Sequence, residues 1–253
     1  MDFDKVNKYM DILQNKYHPI MMFLYGSQNY SMDIETSDYD FNVIIKDDLR
    51  DFYELKYGKA KVVDFIVDNV NVGKVNIIPL SVFLKGLRKG SITYYENFFS
   101  KVSQFNDDAN IFSYKTFKDK LIKTHYYDLL YSMIGYAYTY IEKYDKSKDP
   151  KVTANLLRVL YMIEYFILHK DLVFDMKVLE KDAFLKRVKQ NLLSNKDKEL
   201  VENKLQNVEE FLEEKKDYLK NSLDNVGTAQ EKEEVNNELF ELFIKLNKLR
   251  GEN

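Results

Sequence analysis

Residues 25–45 read YGSQNYSMDIETSDYDFNVII. The apolar run IMMFLYGS at 20–27 ends in Gly26-Ser27 and fits a buried strand that leads into a turn. Glycine there lets the backbone approach a ligand closely, and the amides that follow can face an anion. The polar stretch 28–37 reads as a loop, and YDFNVII at 39–45 reads as an inner strand. Residues i and i+2 of a strand point to the same side, so Asp38 and Asp40 set two carboxylates on one face. Two like charges that close are unfavourable without a cation between them. Mg²⁺ accepts a couple of carboxylates together with waters and phosphate oxygens. A phosphate cradle beside such a pair is the equipment of in-line phosphoryl or nucleotidyl transfer. Taken singly, Asp-x-Asp also fits a solvated strand edge and Gly-Ser a plain turn. The combination strand, Gly-Ser, ten-residue loop, Asp-x-Asp, strand is far more specific.

Outward from this stretch, residues 2–17 show helical spacing. KVVDFIVD at 61–68 and GKVNIIPL at 73–80 are β-rich runs joined through DNVNVG, with Asp68 read as a turn residue. SVFLKGLRKG at 81–90 and ITYYENFFS at 92–100 return to helical spacing, and after about Asn106 the β signal ends. A single Tyr-rich helix is expected over 115–144, followed by a break at SKDP, 147–150, with Pro150 suited to a first helical turn. Further helices are expected over 151–169, 177–193, 196–222 and 229–249, the third of these with a solvated, highly charged face or a partner-binding one.

Composition excludes several classes. The 253 residues contain no cysteine, so disulfides and thiolate metal sites are absent. The net charge is −3, and neither half has the basic excess of a protein that grips nucleic acid through many phosphates. No apolar run reaches the length of a membrane span, and MDFDKVNKYM, with no cationic stretch before an apolar one, is not expected to act as a signal peptide. A cytoplasmic protein is expected, with no membrane partner. Five Arg stand among the 38 basic residues, which makes each informative.

With these residues in hand, YGSQNYSMDIETSDYDFNVI resembles the polymerase-β-type nucleotidyltransferase superfamily, and is similar in particular to predicted nucleotidyltransferases of phages and bacteria. SVFLKGLRKGSITYYENFF, Gly135-Tyr136-Ala137 and DPKVTANLLRVLYMIEYFI extend the likeness, which covers roughly residues 20–170. The resemblance implies an α+β fold: a small mixed β-sheet nucleotidyltransferase domain with flanking helices over 1–106, then an all-α domain over 107–253 that closes over the nucleotide. It implies transfer of a nucleoside monophosphate from a nucleoside triphosphate to a hydroxyl of an RNA 3′ end, a protein or a small molecule, with release of pyrophosphate. Asp38 and Asp40 would hold Mg²⁺ or Mn²⁺. Gly26, Ser27 and Ser37 would bind nucleotide. Lys151, Asn155 and Arg158 recur at spacings of four and three on one helix face, and would turn toward the phosphates. A phage origin would place the protein in the host cytoplasm.

The pattern also departs from the family. A third carboxylate is usual on a neighbouring strand, and the matching position is Asn76, which cannot ionise but can offer a carbonyl oxygen to a metal. Asp64 in VVDFIVD is the other candidate for that role. Asn155 stands where relatives often have His. These changes raise a nucleotide- or RNA-binding pseudoenzyme as the alternative, beside a protein-interaction module built on the charged helices 196–249. Lys151 and Arg158 also have a plainer reading, a surface Lys and an Arg paired with Glu164 or another acid. The tyrosines of 126–140 fit either base stacking or a core with hydroxyls at its rim. His18, His125 and His169 show no ligand spacing. Lys85, Arg88 and Lys89 suit an acceptor's phosphates or a solvated helix end.

Overall fold

A computed structural model describes residues 1–48, 58–221 and 227–248. It is an α+β structure around one five-stranded mixed sheet. Helix α1, Phe3–Tyr17, is capped by the Asp2 side chain. Strand β1, Met21–Tyr25, runs into a tight 3₁₀ turn over Gly26–Gln28. Strands β2, Asp40–Ile45, β3, Lys61–Val67, and β4, Val70–Pro79, follow, then helices α2, Leu80–Arg88, and α3, Ile92–Tyr95. A 3₁₀ turn over Glu96–Phe99 leads to β5, Ser103–Phe105. The rest is helical: α4, Lys115–Thr124; α5, Tyr126–Ser147; α6, Pro150–His169; α7, Asp182–Lys189; α8, Asn195–Gln206; α9, Val208–Asn221; and α10, Ala229–Lys248.

The strand order is β3-β4-β2-β1-β5. β2 and β4 pair in parallel and every other neighbouring pair is antiparallel. The β3–β4 connection is a two-residue turn at Asp68 and Asn69, both in the left-handed region, the geometry of a hairpin whose turn matches strand twist. This is tighter than the six-residue DNVNVG link read from sequence, because Val70 to Val72 already belong to β4.

One face of the sheet, through Met22, Leu24, Phe41, Val43, Phe65 and Val75, packs on Val6, Met10 and Leu13 of α1. The opposite face, through Met21, Phe23, Ile44 and Ile78, enters a larger core that continues into α5 and α6 and reaches Leu239 and Leu246 of α10. The change from mixed to purely helical content near residue 106 is therefore crossed by a continuous apolar core. No helix of the described residues is long and apolar enough to cross a membrane.

Two expected helices are divided. The pattern over 115–144 breaks at His125, which leaves α-helical geometry while its ring lies fully buried against the Leu121 carbonyl. The pattern over 196–222 breaks at Asn207. The expected ends at Ser222 and Leu249 lie outside the described residues. Strand β5 was not expected; it is three residues long and pairs only with β1, too short for any alternation to register.

Candidate functional site

The site grows from the end of β1. Gly26 has φ +75, and a Cβ there would stand 2.9 Å from Asp40 Oδ2. Glycine answers both demands at once. The 3₁₀ turn that opens at Gly26 leaves its first amides without partners inside the turn, the arrangement that suits an anion. β1 and β2 are antiparallel with Tyr25 opposite Asp40, so the turn and the Asp pair lie at the same end of the sheet.

Asp40 is half-buried and its Oδ1 accepts from the Lys74 backbone N–H at 3.0 Å. Burial, with the Asp38 charge adding to it, raises its carboxyl above the usual range despite that hydrogen bond. Asp38 is exposed at the pocket mouth. Ser37 ties the loop: its Oγ accepts from Ile34 N–H at 2.9 Å and from Lys189 Nζ at 3.1 Å.

Helix α6 supplies the opposite wall. Asp149 caps it by accepting from the Lys151 and Val152 amides at 2.7 and 3.1 Å, with Pro150 in the first turn. Lys151, Asn155 and Arg158 then descend one face, from exposed through half-buried to buried. All three line a cavity of about 320 Å³, with Gly26, Ser27, Ser37, Asp38 and Asp40. Arg158 does not pair with Glu164, which bonds Lys204 instead. Its guanidinium lies 3.9 Å over the Tyr30 ring, NH1 donates to the Met162 sulfur, and its Nε has no hydrogen-bond partner.

Asp64 and Asn76 stand apart from this cavity. Asp64 is exposed on edge strand β3, opposite Lys74. Asn76 donates to Asn42 Oδ1 at 2.7 Å, and Asn42 donates to Asn97 Oδ1 at 2.7 Å, so its amide heads a chain of amides between β4, β2 and the Glu96–Phe99 turn. Among the described residues no three acidic or imidazole side chains gather as a metal cluster. Asp38 and Asp40, with room for phosphate oxygens and water, nonetheless form a donor set of the kind Mg²⁺ accepts, and a cation would offset the charge that raises the Asp40 carboxyl.

Sequence reasoning missed several residues of the wall. Tyr25 and Tyr30 are among them; with Tyr136 and Tyr140, which the sequence left between base stacking and core, they form an aromatic side, the Tyr136 and Tyr140 hydroxyls 3.2 Å apart. The rest of the Tyr-rich segment divides: Tyr126 stacks on Phe166 in the core, while the Tyr138 hydroxyl donates to Glu213. Lys189 enters from α7, beyond the stretch that carries the family resemblance, and also donates to the Met32 carbonyl at 3.1 Å. Burial lowers its ammonium below the ordinary Lys value, with Lys151 adding to the effect. Nothing in its charged helix singles it out. His18 and His169 are exposed, and the Lys85, Arg88, Lys89 cluster is an exposed end of α2. No protein-family model matches the chain, and no curated protein matches it.

Proposed function

We propose that this chain is a metal-dependent nucleotidyltransferase of the polymerase-β type, moving a nucleoside monophosphate from a nucleoside triphosphate to a hydroxyl acceptor and releasing pyrophosphate. The observation that carries the reading is convergence. Gly-Ser, the Asp-x-Asp pair and the Lys-Arg face of α6 are separated by up to 132 residues in the chain, from 26 to 158, yet line one cavity.

In this reading Asp38 and Asp40 hold Mg²⁺ or Mn²⁺, which when bound offsets phosphate charge and favours the ionised form of an attacking hydroxyl. The Gly26-Ser27 turn receives the β- and γ-phosphates on its amides. Lys151 at the mouth and Arg158 at the depth neutralise phosphate charge, Arg158 with fork geometry suited to two oxygens. The tyrosine wall excludes water from the deep end. The acceptor is an RNA 3′ end, a protein or a small-molecule hydroxyl. A two-domain arrangement, 1–106 and 107–253, would place the transfer site at the seam between sheet and helices.

A specific observation favours a second reading. Asn76, at the position where a third carboxylate is expected, is engaged with Asn42, and Asp64 points from an exposed edge strand outside the cavity. A site with two carboxylates lacks an evident base, so a nucleotide- or RNA-binding pseudoenzyme is the alternative. Incubation with each α-labelled nucleoside triphosphate, Mg²⁺ or Mn²⁺ and a cell extract separates them. We expect label on RNA, protein or a small product with the wild type, and none with Asp38→Ala/Asp40→Ala protein that remains folded. Nucleotide binding without transfer by the wild type would favour the pseudoenzyme.

A further inference from the structure

Beneath the cavity lies a charge that nucleotide transfer does not call for. Glu96 opens the 3₁₀ turn after α3 and is 3% exposed. Its Oε2 accepts from the Tyr30 hydroxyl at 2.9 Å, and its Oε1 has no hydrogen-bond partner. The Tyr30 ring in turn carries the Arg158 guanidinium at 3.9 Å. One tyrosine therefore separates a buried carboxyl from the buried cation of the cavity wall.

We propose that Glu96 takes up a proton from solvent when a phosphate-bearing ligand settles against Arg158, so that ligand binding and protonation of this buried carboxyl are linked. The inference rests on the nucleotide reading of the cavity and deepens it.

The argument is one of charge balance. Arg158 offsets part of the cost of an ionised Glu96 in a dry interior. A phosphate at Arg158 brings new negative charge to the same cation. The carboxylate, with one oxygen unsatisfied, is then the cheapest charge in the cluster to remove, and the proton adds at Oε1 from bulk water. Burial already raises the Glu96 carboxyl to about 7, against the opposing pull of Arg158 and the Tyr30 hydrogen bond. The other groups that face it are fixed. Tyr25 of β1 is pushed above the ordinary phenol range by Glu96 and burial, Tyr30 of the loop by burial and Glu96, and Tyr136 of α5 by burial, with Tyr140 and Glu96 adding to it against Arg158. Arg158 of α6 stays charged, its burial outweighed by Tyr30, Tyr136 and Glu96. Glu96 is thus the group of the cluster that can change charge near neutral pH.

Calorimetric titration at pH 8 tests this, in buffers of different ionisation enthalpy. The probes are a non-hydrolysable ATP analogue with Mg²⁺ and, separately, inorganic triphosphate. With a free-state value of about 7, we expect uptake approaching one proton per site and affinity that weakens as the pH rises from 7.5 to 9, by up to about tenfold per pH unit. Glu96→Gln keeps an acceptor for Tyr30 and should lose the Glu96 part of both effects, leaving only what Lys189 contributes. An infrared difference spectrum of the wild type should gain a protonated-carboxyl band on adding either probe, which requires no variant. Nucleotide binding without proton uptake and without that band overturns the linkage and leaves the nucleotide reading standing. Triphosphate binding with uptake but no nucleotide binding supports the linkage and overturns the nucleotide reading. Failure of both probes to bind overturns both.

Discussion

At the scale of single residues, Gly26 shows how one position serves backbone and chemistry together. Its φ of +75 disfavours any L side chain, and the space a Cβ would need belongs to the Asp40 carboxylate. Gly26→Ala should cost about 1–3 kcal/mol of stability from backbone strain and crowding. It should also displace Asp40 and abolish Mg²⁺-dependent nucleotide binding. Denaturant melts and nucleotide titration on the same protein check both parts, and normal binding by this variant would mean that the turn does not shape the site. Asp40 gives the opposite sign. Its carboxyl is held above the usual range by burial and by Asp38, so ionising it opposes folding near neutral pH. Asp40→Asn keeps an acceptor for the Lys74 amide and removes the charge. We expect a higher Tm than the wild type at pH 7, a difference that narrows as the pH falls and the wild-type carboxyl protonates, and no transferase activity. A lower Tm at pH 7 would show that the carboxylate is not under strain. That Asp38, Asp40, Gly26 and Ser27 come together was legible because their types and spacing put them at the ends of two adjoining strands. Glu96, Tyr30 and Lys189 were not, because their roles arise from burial and from partners 66, 128 and 152 residues away.

Secondary-structure elements were legible where local signals agree and obscure where tertiary packing decides. Helix α6 begins where Asp149-Pro150 says it should, since a capping carboxylate and a first-turn proline both point to the same residue. The division of the 115–144 pattern at His125 left no such mark: neither Gly nor Pro stands there, and the break belongs to a buried ring that bonds the preceding turn. The amphipathic period continues across it, so periodicity alone reads one helix. In the proposed reading the cap of α6 also bears on the ligand, because Lys151 sits in the turn that Asp149 closes. Asp149→Ala removes an acceptor shared by two amides and should destabilise the protein by about 1 kcal/mol. By loosening the first turn it should weaken nucleotide affinity more than it lowers Tm would suggest, while Asp149→Ser restores both. Thermal melts and titrations on the pair measure this. Equal losses of affinity in the Ala and Ser variants would mean that the cap does not position Lys151.

At the scale of the whole molecule, the end of the β signal suggested a seam near Asn106, and the packing runs through it. The sheet has two apolar faces, and only one is closed by α1. The other contributes Met21, Phe23, Ile44 and Ile78 to a core that includes Leu129, Met133, Leu157 and Phe166 of α5 and α6 and extends to α10. Polar ties cross the same boundary: Lys101 to Asp175 at 3.2 Å, the Ile92 amide to Ser132 Oγ at 3.0 Å, and the Met176 amide to the Tyr30 carbonyl at 3.0 Å. Each large side chain stripped of this cover forfeits about 1.5–3 kcal/mol. Phe23 keeps Phe83 and Phe105 within the first half, but partial loss of cover at several such side chains is still of the order of the net stability of an ordinary domain, about 5–15 kcal/mol. A fragment of residues 1–106 should therefore lack fixed tertiary structure, with poorly dispersed amide resonances and exposed apolar surface that binds a hydrophobic dye, while the full chain unfolds in one transition. The cavity explains why such continuity suits the proposed chemistry. Its Asp40 opens β2, with Asp38 two residues before the strand, and its Lys-Arg face belongs to α6, so the spacing between cation and carboxylates is set by the shared core and not by a hinge. A folded 1–106 fragment, or two separate unfolding transitions in the full chain, would instead assign the halves to independent domains and leave that spacing free to change on binding.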